Sequence, residues 1–347
     1  MIDYANSVRE TDVLPDDDLS PVLMGLYGEV GGIMSTAKKH VRESAAYPGF
    51  KKAAEEEFGD TLWYLSALCR RLDISLGSVF QHVGLDRPST NAQSMDDSLF
   101  QLGQAAGKLL GIKKGQEEIK NHLEHFARCY VDALRSSQLN LMGVAHMNVA
   151  KVRGAFVTPN ISDLPLFDDK FEPDERIPSD FRIRISLRET GKSYLRMNDV
   201  FIGDPLTDNI ADQDGYRFHD VFHFAYAAIL HWSPVFRSLI KQKRKRNPQY
   251  DENEDGGRAI VVEEGLTAWI FVRAKELKYF ENQNRVSLGI LKTIQEFVGG
   301  YEVDKCPLKL WERAILDGYS VFRQIRDAKG GWVTGNLNTR TITFEPL

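Results

Sequence analysis

Cysteine is scarce. Cys69, Cys129 and Cys306 are the only three in 347 residues, an odd number with no paired spacing. That excludes a disulfide-framed fold and a cysteine-built zinc site, and it fits reduced thiols in a cytoplasmic protein. No apolar run approaches the roughly 18 residues that a membrane span needs, so no membrane partner is expected. The opening Met-Ile-Asp-Tyr-Ala-Asn-Ser has neither the basic nor the apolar region of a secretory leader. Charge of one sign is missing too. A net charge of −5, from 44 basic and 49 acidic residues, gives no overall bias toward nucleic acid. What remains is a soluble chain long enough for two or three domains with proper cores.

Against that background the acids of the first quarter stand out. Glu29 lies in Gly28-Glu29-Val30-Gly31-Gly32, and Glu57 and Asp60 form an E-x-x-D step in Glu56-Glu57-Phe58-Gly59-Asp60. Helical residues three apart share a face, so Glu57 and Asp60 can address one target. Oxygen ligands converging from two helices suit a hard cation such as Mg²⁺, which in turn grips phosphates. Position 32, one turn beyond Glu29, would carry a fourth ligand and is glycine. Glu55-Glu56-Glu57 also has a plainer reading, an acidic helix start at the positive end of the dipole.

Ser20-Pro21 opens a helix with apolar Leu23, Leu26, Val30 and Ile33 at helical spacing. A second helix is expected over about 50–72, with the stripe Phe58, Leu62, Leu65 and Leu68. A shorter third covers 76–83, then a turn-rich stretch at 84–90. The plan then repeats. Leu102-Gly-Gln104-Ala-Ala-Gly107 echoes residues 26–32, and both are succeeded by a lysine pair (Lys38-Lys39, Lys113-Lys114). His122-Leu-Glu-His125 falls without a gap on Glu57-Phe-Gly-Asp60, and in the earlier echo Gln104 replaces Glu29.

Gly-Leu-Tyr-Gly-Glu29-Val-Gly, then Lys38-Lys39, then Glu57-Phe-Gly-Asp60-Thr-Leu-Trp-Tyr-Leu resembles the MazG-like all-α nucleoside triphosphate pyrophosphohydrolases. The resemblance covers about 15–157 and is most specific at 23–39 and 55–69. The family's late N-x-x-K step is absent after the first unit, where Val83 and Asp86 hold the equivalent places. It occurs after the second as Asn148-Val-Ala-Lys151. The resemblance therefore implies a fused pseudo-dimer in which the first copy keeps the acids and the second keeps the asparagine and lysine. It implies hydrolysis of a (d)NTP to the monophosphate and pyrophosphate. One or two Mg²⁺ ions, or Mn²⁺, would be held by Glu29, Glu57 and Asp60 as catalytic and metal-binding residues. Lys38, Asn148 and Lys151 would bind substrate.

After Pro159, Pro165, Pro173 and Pro178, which read as a linker, the period changes. Phe181-Arg-Ile-Arg-Ile-Ser-Leu-Arg188 alternates strictly, as a half-buried strand does. Gly191-Lys192-Ser193 can turn it into a partner at 194–202, and 339–344 alternates likewise. Helices are expected at about 213–232, 234–246, 258–280, 287–299 and 307–328, giving an α+β unit. Its chemical feature is His219-Asp220-Val-Phe-His223, with Glu263 and Glu264 on a later helix. The first reading is structural, polar residues bonded to one another inside a helical core. The second is a metal or phosphate-handling site, because histidines at i, i+4 offer two imidazoles to one ion. Lys241-Gln-Lys-Arg-Lys-Arg246 suits a helix C-terminus, and an acidic loop at 251–255 partly cancels it.

The expected architecture is thus an all-α tandem bundle, with units at 1–90 and 91–158, a linker at 159–180, and a mostly helical α+β domain with a small antiparallel sheet at 181–347. The expected protein is cytoplasmic, homodimeric and a nucleotide pyrophosphohydrolase. Two alternatives stay open: a nucleotide-binding sensor with the C-terminal domain as effector, and a nucleic-acid-associated protein using 241–246.

Overall fold

The computed structural model describes residues 1–81, 83, 94–208 and 211–347. The turns expected at 84–90, Asp86 and the boundary between 90 and 91 lie outside the described residues. Two units emerge, Met1–Val157 and Thr158–Leu347.

The first unit is helical throughout: α1 (Ile2–Val8), α2 (Ser20–Glu43), α3 (Phe50–Arg71), α4 (Leu76–Phe80), α5 (Met95–Leu109), α6 (Ile119–Ser136) and α7 (Leu141–Phe156). Helix α2 packs along α3, α5 along α6, α2 against α5, and α3 against α7. Leu26, Val30 and Ile33 of α2, Phe58, Leu62 and Leu65 of α3, and Leu102, Leu123 and Phe126 of α5 and α6 belong to one buried cluster. The segments expected as separate units therefore share a core. Each segment is only two or three helices, too little to enclose its own apolar stripe. Tyr130 of α6 fixes the seam by donating to the Phe58 carbonyl at 2.8 Å.

Two glycines of α2 make room for side chains of α3. A Cβ at Gly25 would sit 2.1 Å from the Tyr64 ring, and one at Gly32 would sit 2.1 Å from Glu57 Oε2. Gly25 and Gly32 are seven apart, as are Glu57 and Tyr64, so each pair shares a helix face. The two helices run antiparallel with glycine on one side taking a large side chain from the other.

Helix α1 was not anticipated. It is short, but the segment after it is pinned to α3: Trp63 donates its indole N–H to Thr11 Oγ1 at 2.8 Å, and Arg71 pairs with Asp12 at 2.6 Å.

The second unit contains β1 (Asp180–Leu187), β2 (Ser193–Met197) and β3 (Val200–Leu206), then α8 (Asp220–Ala225), α9 (Pro234–Ile240), α10 (Pro248–Asn253), α11 (Gly257–Glu276), α12 (Leu288–Phe297) and α13 (Leu308–Ala328). Strands β4 (Gly330–Asn336) and β5 (Thr341–Glu345) complete it. The sheet is antiparallel with order β3-β2-β1-β4-β5. Phe181, Ile183 and Ile185 turn inward and Arg182 and Arg184 outward. The single partner expected at 194–202 is two strands, because Asn198 and Asp199 both take positive φ and make a two-residue hairpin turn.

Strand β4 was missed because Gly-Gly-Trp-Val-Thr-Gly reads as a loop. Its glycines leave room for rings: a Cβ at Gly335 would lie 2.2 Å from Phe181, and one at Gly331 2.2 Å from Phe344. Gly335→Val is expected to overpack this strand and cost about 1–3 kcal/mol in urea unfolding. An unchanged midpoint would show that the ring moves freely aside.

The expected linker is structural. Asp168 pairs with Arg237, and Glu175 is buried and accepts the Arg246 backbone N–H at 2.7 Å. Prolines mark irregular chain, which here is packed into the second unit. Helix α9 also ends earlier than the expected 246, at Ile240, where Lys241 caps it with φ +64°. Among the described residues, no helix is long and apolar enough to cross a membrane.

Candidate functional site

The acids of α2 and α3 divide between two neighbours. Glu57 leans onto α2, into the space beside Gly32, and is hydrogen-bonded to Glu29. Asp60 faces α7 instead: Asn148 Nδ2 donates to its Oδ1 at 3.1 Å, and Lys151 Nζ to its Oδ2 at 2.5 Å. Lys151 also pairs with Glu56 at 2.8 Å. One lysine thus spans an i, i+4 pair on α3. Glu56 points about 100° away from Glu57, and its partner is the lysine rather than the gap at Gly32.

Burial sets the protonation of this group. Desolvation first, then the charge of Asp60 and the hydrogen bond to Glu57, raise Glu29 to about 8. Two carboxyls that share a hydrogen bond in a half-buried crevice retain a proton. The raised value means that the folded chain binds this proton more tightly than the unfolded chain. Its stabilising contribution is full below the ordinary value of 4.5 and is lost as pH rises toward and through 8. Glu29→Gln is therefore expected to flatten the decline in stability between about pH 5 and 9, measured by urea unfolding in chelator. Equal slopes in variant and parent would refute the shared proton.

Asn148 is 3% exposed. Its Oδ1 accepts from the Tyr4 hydroxyl at 2.7 Å, which fixes the amide so that Nδ2 faces Asp60. A Cβ at Gly59 would lie 2.9 Å from Asn148 Cβ, so glycine here lets α7 approach α3 closely. Tyr4 is the member that sequence reasoning missed, and Glu56, which the sequence offers as a possible substitute for the ligand absent at position 32, instead pairs with Lys151. Tyr4 lies in a helix with no motif, while Glu56 was visible as one of three consecutive acids. Lys38 is not brought to this group. It is exposed on α2, nine residues from Glu29, which at 3.6 residues per turn is about 180° around the helix.

In the second unit the five residues singled out do converge. His219 Nδ1 bonds to the Tyr216 carbonyl at 2.9 Å, and Tyr216 stacks on its ring. His223 is fully buried, with Nδ1 2.8 Å from Glu263 Oε1. The Glu263 carboxylate also accepts from Ser233 Oγ at 2.6 Å and from the Val235 N–H at 2.8 Å. Glu264 Oε2 lies 3.6 Å from His219 Nε2 and 3.5 Å from His223 Nε2. Burial works to lower His223, but the charge and hydrogen bond of Glu263, joined by Glu264, outweigh it and hold the imidazole at about 10. Burial also raises Asp220, which sits beside both histidines.

Two of the five basic residues of the run are engaged in ion pairs. Arg244 is buried between Asp255 and Glu302, and Arg246 pairs with Asp174. A nucleic-acid surface at 241–246 would lack two of its arginines.

The molecule thus joins a helical unit with clustered acids to an α+β unit with a histidine–carboxylate cluster. The chain belongs to the family of the MazG C-terminal domain, whose family model matches residues 162–347, more than half of its length. That match falls on the half for which the sequence offered no family. The gene 37 protein of Mycobacterium phage L5 is 36% identical over 67 residues, 19% of this chain. The chain spans 59% of that relative's length. No solved structure matches the chain.

Proposed function

We propose that the helical unit hydrolyses nucleoside triphosphates, (d)NTP + H₂O giving (d)NMP + pyrophosphate, with Mg²⁺ or Mn²⁺. The observation that carries this reading is the meeting of Asp60 with Asn148 and Lys151, acids from one repeat with the amide and ammonium of the other. We read α5 to α7 as the degenerate copy that keeps only its substrate-side residues.

In chemistry the donor set suits the ion, since Glu29, Glu57 and Asp60 offer oxygen only, as Mg²⁺ prefers. In position Glu57 lies beside Gly32 on α2, while Asp60 is held by Asn148 and Lys151 and would have to turn from them to join the other two acids. When bound, Mg²⁺ neutralises phosphate oxygens and activates water. The chain's own residues do the rest. Glu29 would hold the cation as a deprotonated carboxylate. Lys151 turns its charge from Glu56 and Asp60 to phosphate, and Asn148, oriented by Tyr4, positions the chain of phosphates.

A second reading is a nucleotide-binding sensor with the α+β unit as effector. It is favoured by the two oxygens of Asp60 being already bonded, alongside glycine at 32. Pyrophosphate release from a panel of dNTPs with Mg²⁺ or Mn²⁺ separates the two. Turnover supports the hydrolase, and tight binding without release supports the sensor.

A further inference from the structure

The nucleotide reading leaves the histidine–glutamate cluster of the second unit unused. Three donor atoms, one each from His219, His223 and Glu264, all lie within 4.8 Å of one another. The two imidazoles are oriented alike. A carbonyl can only accept, so His219 donates from Nδ1 to Tyr216 and is left with Nε2 toward Glu264. His223 is held at Nδ1 by the buried Glu263 carboxylate. Its Nε2 also faces Glu264, and that atom is buried with no hydrogen-bond partner. Histidine ligands have this arrangement in metal sites, where an outer carboxylate or carbonyl fixes the ring and the inner nitrogen is presented. Glu263 is further locked by Ser233 and Val235, so it is a positioning residue and not a ligand.

We propose that His219, His223 and Glu264 form a site for one divalent transition-metal ion of the Mn²⁺-to-Zn²⁺ series. Imidazole nitrogen disfavours Mg²⁺, and two imidazoles with one carboxylate suit the transition series. Three protein ligands leave further positions open. The Glu264 side chain is 40% exposed while His223 is 0%, so the open positions face solvent and admit water or an oxyanion. The site is independent of the nucleotide reading, since its residues lie wholly in the second unit.

The test uses untagged full-length protein carrying Glu57→Gln and Asp60→Asn, which removes acids of the helical unit. Calorimetric titration with Co²⁺ and Zn²⁺, with Co²⁺ absorption as a second readout, is expected to give one equivalent bound. Excess Mg²⁺ should not displace it. His219→Ala and Glu264→Gln, chosen because both side chains reach the surface, should each weaken binding at least about tenfold. Glu263→Gln should weaken it about 10- to 100-fold by releasing the His223 ring. Circular dichroism checks that each variant is folded. No saturable binding, or an affinity unchanged in folded His219→Ala and Glu264→Gln, would overturn the site and leave a static ion cluster.

Discussion

Glu57→Gln is expected to lower pyrophosphate release by at least about a hundredfold. The substitution keeps the side chain's shape and removes the charge that sits against α2 beside Glu29. Loss of a carboxylate facing a divalent cation and a triphosphate removes several kcal/mol of transition-state stabilisation, and each 1.36 kcal/mol is tenfold in rate. The same change also removes one of the lesser causes that raise the Glu29 carboxyl, while burial and the charge of Asp60 remain. Lys151→Met should act differently. It removes a phosphate contact, so it is expected to weaken nucleotide binding with less effect on the ion. Steady-state release assays over a range of Mg²⁺ and dNTP concentrations distinguish these effects. Undiminished turnover in Glu57→Gln would remove this carboxylate from the site.

The second large effect concerns stability. Arg244 is fully buried and donates to Asp255 at 2.7 Å and to Glu302 at 2.6 Å. Burial raises the Glu302 carboxyl to about 7 even with this arginine beside it. Removing the guanidinium leaves the buried Glu302 without its cation and Asp255 with only Arg237 Nε, 3.5 Å away, a change that costs about 3–5 kcal/mol. Arg244→Met is therefore expected to lower the unfolding free energy of the second unit by that amount at neutral pH. Arg246→Met, whose partner Asp174 is exposed, should cost far less, because solvent screens that pair. Urea unfolding of the two variants tests the contrast. Equal, small losses would show that the network is not desolvated.

How much is legible in the sequence differs between the halves. In the first, helical periodicity and the Glu29, Glu57 and Asp60 pattern lie open, as do the later Asn148 and Lys151. What stays hidden is how the acids are shared. E-x-x-D spacing places Glu57 and Asp60 on one face, but the side chains lean apart because α2 offers a gap at Gly32 while α7 offers a lysine. Tyr4 is beyond reach, since a short helix with no cap or stripe gives no signal until the core it joins is known. In the second half β1 can be read from alternation alone. Strand β4 cannot, because its glycines accommodate rings brought by residues 181 and 344, which are distant in the chain. The histidine pair is visible as i, i+4, whereas the orientation of both rings by Tyr216 and Glu263 requires the fold.

The central claim is that acids of one repeat and the asparagine and lysine of the other make one site. A double-mutant cycle of Asp60→Asn and Lys151→Met, read in the rate of pyrophosphate release, tests it most directly. If the pair acts together, the double variant will be no slower than the worse single variant, a coupling well above the scatter of about 0.5 kcal/mol between independent sites. Effects that simply multiply would contradict a shared site.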